Sequence, residues 1–302
     1  MEHSESTARG VRPGRVGSFG LVLVAYLAAL ASAWWSLTFV GDLHPLLQAL
    51  VADVVATCVI FGVSYALNNS SVYDPYWSVV PPLLVGWWMT TPEPLGGNEQ
   101  RQWLVLALVC LWAGRLTWNW IRGWSGLSHE DWRYVDLAKK HGPKYWLVSF
   151  AGIHMFPTLL VYGGSVALWP ALCSTAPLGW GDALALAITL IGIGCEGLAD
   201  QQLRAFRLKG HPKGTILKTG IWAWSRHPNY FGEMTFWWGL FLFAAFTAQG
   251  WWWAALGALF INLLFVFVSL PMIEERHEAS RTGWRAHAKK TPRVFLWPPR
   301  AG

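Results

Sequence analysis

The chain has 302 residues, of which 54% are hydrophobic and only 13% are charged. Soluble domains carry about 25% charged residues, so this composition excludes an ordinary soluble protein. The net charge of +6 is confined to a few short segments. That distribution is typical of membrane topology and gives no reason to expect a nucleic-acid partner.

Long apolar stretches recur along the chain, and a bilayer requires about 20 such residues per helix. The pattern predicts an all-α, polytopic transmembrane bundle of about seven or eight helices, at residues 18–40, 46–67, 76–90, 103–121, 145–169, 182–199, 234–248 and 251–270. Two stretches are weaker, because 76–90 is short and contains Pro81-Pro82 and because only Gln249-Gly250 separates the last two. Either can be a re-entrant segment or one half of a tight hairpin.

The predicted organisation has three parts: a disordered tail over 1–17, transmembrane helices over 18–67 and a main domain over 68–302. The first apolar run lacks a convincing small-residue cleavage site, so it is expected to remain as a membrane span. Basic residues concentrate in the two termini and in the segments 122–144 and 201–226. The other connections contain a single basic residue, Arg101. Because cytoplasmic loops carry an excess of Lys and Arg, both termini are predicted to lie in the cytoplasm.

Cysteines and tryptophans give little functional information. The 4 cysteines form no C-x-x-C pair, and three of them lie in apolar stretches. Neither a disulfide framework nor a zinc site is therefore expected, and no metal is predicted. Many of the 23 tryptophans lie near the ends of predicted spans, where indole rings anchor helices at the headgroup level.

Charged side chains at membrane depth cost about 2.5–3.5 kcal/mol each on insertion scales, so they usually mark function. Asp74 lies between two predicted spans, with Tyr73 and Tyr76 on either side. An Asp followed by Pro75 also suits the start of a helix. A purely structural role for Asp74 therefore stays open.

Two further stripes of polar residues follow helical spacing. Arg115, Asn119 and Arg122 share one helix face, although a side chain near a helix end can simply reach the membrane surface. The second stripe begins inside the predicted span 182–199 and continues beyond it, with the members Glu196, Asp200, Arg204 and Arg207. A solvated helix end accounts for the last members, but Glu196 lies inside the apolar stretch.

The segment 225–233 concentrates five kinds of polar side chain at the mouth of a predicted span: Arg226, His227, Asn229, Tyr230 and Glu233. Pro228 suits the first turn of a helix, since its missing N–H costs nothing there. The exposed backbone N–H groups of such a turn favour an anion such as a phosphate. A purely structural loop rarely needs so many different polar groups, so the segment indicates a binding site.

A family resemblance is carried by this same segment. The segment resembles the bacterial branch of the steroid 5α-reductase family. The matching residues are the run Ser225-Arg226-His227-Pro228-Asn229-Tyr230-Phe231-Gly232-Glu233 and the following Trp238-Gly239. Shorter matches are Asp74-Pro75-Tyr76-Trp77-Ser78, Arg115-Leu116 with Asn119, Glu274-Glu275-Arg276, Thr291-Pro292 and Leu296-Trp297-Pro298-Pro299. The resemblance covers about residues 70–300 and is strongest after residue 196.

The resemblance implies an integral-membrane enzyme, expected in a bacterial inner membrane, that reduces a carbon–carbon double bond conjugated to a carbonyl. NADPH would deliver hydride to the β-carbon, while a tyrosine and an acid polarise the carbonyl oxygen. The cofactor would lie among the C-terminal helices, with cytoplasmic loops closing over it. The implied substrate is a lipophilic molecule, steroid-like or terpenoid, that enters from the membrane lipid.

The resemblance also implies roles for particular residues. Asn229 and Glu233 match the residues that hold the nicotinamide half. Asp200, Arg204 and Arg207 match an Asp…Arg…Arg pattern that contacts adenosine and phosphate. Either Arg276 or His277 falls near a family histidine of the C-terminal tail. The other candidate cofactor residues are Trp224, Arg226, His227, Tyr230 and Glu275. The catalytic acid falls close to Asp74.

The sequence departs from the family at the catalytic tyrosine, which precedes an arginine by three residues. Trp112 stands at that distance before Arg115. An indole N–H can donate a hydrogen bond, but it is a poorer proton donor than a phenol. Tyr73, Tyr76 and Trp112 are therefore all candidates for the second donor beside Asp74.

Two other functions share part of this pattern. Membrane methyltransferases that act on isoprenylcysteine or phospholipid with S-adenosylmethionine share the Arg-His-Pro-x-Tyr-x-Gly core. Asn229 before the tyrosine and Glu233 after the glycine favour the reductase. A channel or scaffold without catalysis would need neither residue together with the basic loops.

Overall fold

The computed structural model describes residues 13–298, apart from the side chains of residues 94 and 95. Its helices are α1 Arg15–Leu37, α2 Pro45–Ala66, α3 Tyr76–Trp88, α4 Glu99–Gly123, α5 Trp132–Cys173, α6 Trp180–Leu208, α7 Pro228–Thr247, α8 Trp252–Ser280 and α9 Trp284–Lys290. Shorter helical turns lie in the connections at Ser70–Val72, Pro92–Leu95 and Gly220–Ala223. Residues 1–12 of the predicted disordered tail lie outside the described range, and α1 already begins at Arg15.

Six of the helices are long and apolar enough to cross a membrane: α1, α2, α4, α5, α6 and α8. The chain is therefore a helical membrane protein, as the composition predicted. The two weaker stretches form α3, which has 13 residues and contains Pro81 and Pro82, and α7, which has 20 residues. At 1.5 Å per residue α3 is only about 20 Å long, whereas the hydrocarbon core is about 30 Å thick.

The chain divides into two compact units, and the divisions fall inside α3, α4 and α5. The first unit contains Met1–Val80 and Thr117–Leu159, and the second contains Pro81–Leu116 and Leu160–Gly302. Two helix starts have a clear local cause. Pro45 opens α2, where the ring of His44 accepts the N–H of Leu46, and Pro228 opens α7.

In the first unit α1 packs along α2, and the start of α1 is fixed by the chain that follows α4. The guanidinium of Arg15 donates to the carbonyl of Trp124 at 3.0 Å, and Phe19 contacts the Trp124 ring edge-on at 5.1 Å. Gly126 has φ +104°, and a Cβ there would lie 2.9 Å from Oγ of Ser18. Only glycine fits this close approach.

In the second unit α6 and α7 pack with their backbones in contact. A Cβ on Gly232 of α7 would lie 2.6 Å from the backbone nitrogen of Glu196. One on Gly192 of α6 would lie 2.5 Å from the nitrogen of Phe236. Because small residues let helices approach this closely, the carboxyl groups of Glu196 and Glu233 become neighbours.

A buried ion pair joins the beginnings of α4 and α6 in the same unit. Arg101 is completely buried, and its Nε and Nη2 donate to the carboxylate of Asp182 at 2.6 and 3.0 Å. Its other N–H groups donate to the carbonyls of Ser174, Ala176 and Pro177. Arg101, the only basic residue in the connections outside the basic segments, therefore has hydrogen-bond partners for its whole guanidinium group.

Candidate functional site

The turn before α3 holds Asp74 in the first unit. Asn69 organises this turn, because its amide donates to the carbonyls of Leu127 and His129 at 3.0 and 2.9 Å. The carboxylate of Asp74 accepts the phenol of Tyr134 at 2.8 Å. Burial raises the pKa of Asp74 to about 7, and the Tyr134 hydrogen bond and the charge of Arg133 only partly offset that effect. Asp74 therefore exchanges its proton close to neutral pH.

The two tyrosines beside Asp74 point into the first unit and are almost completely buried. The phenol of Tyr73 and the hydroxyl of Thr158 are hydrogen-bonded at 2.6 Å. The phenol of Tyr76 contacts the carboxyl of Asp53 at 2.7 Å, and the two tyrosine rings stack at 5.0 Å.

Sequence reasoning missed Asp53. It is the only acid in the stretch 46–67, and an ionisable residue inside a span is a functional candidate by default. That signal could have found it. The membrane-depth His154 was missed in the same way, and its ring lies 4.8 Å from that of Tyr73.

In the second unit Arg115 of α4 pairs with two acids of α6. Its guanidinium lies 2.5 Å from the carboxylate of Glu196 and 2.7 Å from that of Asp200. The acidic half of the predicted α6 stripe therefore bonds to another helix, whereas Arg204 and Arg207 at the end of the stripe are exposed. Arg122, on the other stripe, donates to Asn119 within α4.

Glu233 of α7 accepts two indole N–H groups, from Trp112 and Trp237, each at 2.9 Å. Trp112 is completely buried and stacks on Phe236 at 4.6 Å. Its N–H therefore points at Glu233 in this structure. A role for Trp112 as donor to a substrate stays a prediction and would require this hydrogen bond to open.

The segment 225–233 is tied to the end of the described chain. The hydroxyl of Ser225 donates to the carbonyl of Val294 at 2.7 Å, and the N–H of Arg226 donates to that of Pro292 at 2.9 Å. The N–H of Trp297 donates to the carbonyl of Trp224 at 3.1 Å. The segment 225–233 and the segment around Pro292 and Trp297, which both contribute to the family resemblance, are thus in contact.

Glu274 of α8 is the acidic centre of this piece. Its two carboxylate oxygens contact the guanidinium groups of Arg226 and Arg293, each at 3.0 Å, and one oxygen lies 3.3 Å from Nε2 of His227. Burial lowers the pKa of His227, and its hydrogen bond to Glu274 only partly offsets this. His227 is therefore neutral at neutral pH, so two guanidinium groups share one carboxylate.

Two guanidinium groups and two imidazole rings surround Trp284, at the start of α9. The guanidinium groups of Arg226 and Arg281 lie 5.9 and 5.7 Å from its ring centre. The rings of His277 and His287 lie 4.6 and 5.6 Å away. We call these residues, together with Lys218, the Trp284 cluster.

The positive charge of the Trp284 cluster affects the pKa of His287, one of its members. Burial and then the charges of Lys218, Arg226 and Arg281 lower the pKa of His287 to about 4. Arg207 also lies close enough to lower the pKa of Arg281, after burial. Cations held this close together favour an anionic partner.

The other predicted cofactor residues lie around this piece of the second unit. Asn229 lies in the first turn of α7, and its buried Oδ1 has no hydrogen-bond partner among the described residues. The ring of Tyr230 contacts His227 and Phe265 edge-on. Three others lie on the surface: Trp224, Glu275 and Arg276.

These features define a helical membrane protein with a cluster of basic side chains around Trp284 in its second unit. The family described as "Protein of unknown function (DUF1295)" matches residues 60–291, and the chain belongs to this family. An uncharacterized protein of Schizosaccharomyces pombe, C594.04c, is 26% identical over 234 residues, which cover 70% of this chain and 68% of the relative. No solved structure matches the chain.

Proposed function

We propose that the protein is a membrane-embedded reductase that uses NADPH to reduce a carbon–carbon double bond conjugated to a carbonyl. The observation that carries the proposal is the Trp284 cluster beside the segment 225–233. Burial, and after it the charges of Lys218, Arg226 and Arg281, lower the pKa of His287 to about 4. Guanidinium and ammonium groups in such an arrangement form charge-assisted hydrogen bonds with phosphate oxygens.

The residues present fit the two ends of NADPH. Its phosphates are anions of the kind that the Trp284 cluster favours. Its nicotinamide amide is a hydrogen-bond donor, and the buried Oδ1 of Asn229 is an acceptor without a partner among the described residues. When bound, NADPH supplies the hydride for the reduction.

The chain itself must stabilise the charge that hydride addition leaves on the carbonyl oxygen. A preorganised hydrogen-bond donor in a site closed to water does this most effectively. Asp74 is suited to that role, because burial raises its pKa to about 7 and a protonated carboxyl can donate a hydrogen bond. We assign Asp74 as this donor.

The proposal includes the topology and the substrate. If α3 and α7 cross with the six long helices, eight spans place both termini on one side. The basic loops then put that side in the cytoplasm, in what we propose is a bacterial inner membrane. A site among apolar helices suits a lipophilic enone, steroid-like or terpenoid, that enters from the bilayer.

Thermal unfolding of the purified full chain in detergent tests the cofactor. We expect NADPH to raise the Tm, NADH to raise it much less and S-adenosylmethionine to leave it unchanged, because only NADPH adds a 2′-phosphate for the Trp284 cluster. Stabilisation by S-adenosylmethionine alone would support the methyltransferase instead. Equal stabilisation by NADPH and NADH would contradict the assignment of the cluster.

A matched pair of variants tests the cluster itself. Arg281→Ala removes a cation at Trp284, whereas Arg285→Ala removes one from an exposed pair with Glu278 on the same segment. We expect Arg281→Ala to weaken NADPH binding at least tenfold, about 1.4 kcal/mol, and Arg285→Ala to leave it unchanged. Equal effects of the two variants would mean that net charge, not the cluster, attracts the cofactor.

A further inference from the structure

Asp53 lies inside α2, in a stretch of otherwise uncharged residues, and is only 5% exposed. None of the salt bridges among residues 13–298 joins it to a cation, and its partner is Tyr76. Asp53 also precedes the matched segment 60–291, so nothing about it follows from the family. An ionised carboxylate at membrane depth without a cation is costly.

The contacts of the Tyr76 phenol indicate where a proton resides. Its oxygen lies 2.7 Å from Oδ1 of Asp53 and 3.0 Å from the backbone carbonyl oxygen of the same residue. A phenol has one hydrogen and a carbonyl has none. Both contacts are full hydrogen bonds when the Asp53 carboxyl donates to the phenol oxygen and the phenol donates to the carbonyl. This count favours a protonated Asp53.

A chain of hydroxyl groups leads away from this pair. Thr57 lies one helical turn after Asp53, and its hydroxyl interacts with the phenol of Tyr76. The hydroxyls of Thr57 and Thr158 are 2.9 Å apart, and Thr158 is hydrogen-bonded to the phenol of Tyr73 at 2.6 Å. The four hydroxyl-bearing side chains are each at most 3% exposed, so the chain is buried along its length.

The groups that face the chain from the neighbouring helices are uncharged. Tyr26 of α1 contacts the ring of Tyr76 edge-on at 6.1 Å and donates its phenol to the carbonyl of Val72. His154 of α5 lies against Tyr73, and its Nδ1 is 3.0 Å from the carbonyl of Ser149. A carbonyl can only accept, so Nδ1 carries the hydrogen. Nε2 can then accept the Ser64 hydroxyl at 3.1 Å.

We propose that Asp53 stores a proton and that the hydroxyls of Tyr76, Thr57 and Thr158 relay it to Tyr73, which donates it to the oxygen of a reduced carbonyl substrate. The proposal rests on the reductase function and makes Tyr73 the second donor beside Asp74. At each hydroxyl one O–H bond forms and one breaks, and the Tyr76 hydrogen turns from the carbonyl of Asp53 to the hydroxyl of Thr57 for the transfer. The substrate oxygen gains a proton, Asp53 becomes a carboxylate and no electrons move. Once the substrate has left, a proton from solvent at Tyr73 returns to Asp53 along the same hydroxyls in the reverse direction before the next cycle.

Infrared spectroscopy of the full chain in lipid nanodiscs tests the stored proton without cofactor or substrate. At pH 7 we expect the C=O stretch of a protonated carboxyl that Asp53→Asn lacks and that Asp42→Asn, an exposed control, retains. Tyr76→Phe should shift this band, because it removes the hydrogen-bonded phenol. A spectrum that Asp53→Asn leaves unchanged would overturn the proposal. If that variant does not fold, an unshifted band in Tyr76→Phe overturns it equally.

Single-turnover reduction of an enone that the wild type reduces tests the delivery. Asp53→Asn and Tyr73→Phe should slow the reaction at least tenfold and leave NADPH affinity unchanged, whereas Asp42→Asn should match the wild type. A wild-type rate in Asp53→Asn would overturn proton delivery while the reductase function stands. If no enone is reduced at all, the reductase function fails and the infrared result alone decides whether Asp53 holds a proton.

Discussion

The two units bury polar groups in different ways. In the first unit the buried partners around α2 are hydroxyls and phenols, with Asp53 bonded to Tyr76 as the acid. In the second unit the partners are ions: Arg115 with Glu196 and Asp200, and Arg101 with Asp182. Both arrangements satisfy polar groups at membrane depth, but they respond differently when one partner is lost.

The difference follows from what remains after a partner is removed. A hydroxyl left without its neighbour can rotate to another acceptor, whereas an ion left alone in an apolar interior keeps its full desolvation penalty. The first unit is thus suited to moving protons along neutral groups. The second unit is suited to holding charge in fixed positions, including the charge of an anionic ligand at the Trp284 cluster.

The largest expected effect comes from breaking an ion pair of the second unit. Arg115→Ala leaves the carboxylates of Glu196 and Asp200 without their cation. We expect the free energy of unfolding to fall by about 3–5 kcal/mol, measured by denaturant unfolding in detergent. Lys213→Ala, which removes an exposed cation of the same unit, is the control and should change little. Equal losses in the two variants would show that the buried pair contributes no more than a surface charge.

The close contact of α6 and α7 is the next feature to test. Gly232→Ala places a Cβ 2.6 Å from the backbone nitrogen of Glu196, so the helices must separate. We expect a loss of about 1–3 kcal/mol in unfolding free energy. Gly194→Ala is the matched control, because no atom lies within 4 Å of its Cβ and alanine favours a helix. Destabilisation by both variants would mean that helix propensity, not the contact, decides.

A smaller effect should appear at the nicotinamide end of the proposed cofactor site. Asn229→Ala removes an acceptor that has no partner among the described residues, so the stability of the free protein should not change. NADPH affinity in a direct titration should fall at least tenfold, about 1.4 kcal/mol. Gln249→Ala, in the exposed connection after α7, should bind as the wild type does. A Tm loss in Asn229→Ala without an affinity change would make Asn229 a structural residue.

The last prediction concerns the acid of the first unit. Asp74→Asn should keep NADPH binding and slow single-turnover hydride transfer at least tenfold, about 1.4 kcal/mol of transition-state stabilisation. Because burial raises the pKa of Asp74 to about 7, the donating form exists below that pH. The wild-type rate should therefore fall as pH rises through about 7, and the variant should lose this dependence. A wild-type rate in the variant would leave Asp74 as part of a turn only.

Hydropathy could predict the helices because a membrane span must satisfy its backbone hydrogen bonds internally and present apolar side chains to the lipid. The stretch 46–67 became Pro45–Ala66, and 182–199 became the core of Trp180–Leu208. The same argument left α7 uncertain, because only Gln249-Gly250 separates the predicted stretches 234–248 and 251–270. The helix in fact begins at Pro228 and includes Glu233. That carboxylate is tolerated because Trp112 and Trp237 both donate to it.

Partners on different helices could not be predicted from spacing. The stripe in α6 showed only that Glu196 and Asp200 share a helix face, and the structure shows that both bond to Arg115 of α4. Asp53 could have been found as the only acid in the stretch 46–67, but its partner, Tyr76, belongs to another element and could not have been predicted. Periodicity along one chain segment says which face a residue occupies and leaves open which helix covers that face.

The pairing of Arg101 with Asp182 has a consequence for synthesis of the chain. The two residues are 81 positions apart, and translation adds about 5–20 residues per second. The guanidinium of Arg101 therefore exists for about 4–16 s before its carboxylate has been made. During that time the guanidinium has no carboxylate partner, because that partner arrives only with α6. Asp182→Asn would leave the buried guanidinium without a counter-charge in the finished protein as well, so we expect less of this variant than of the wild type to accumulate in the membrane.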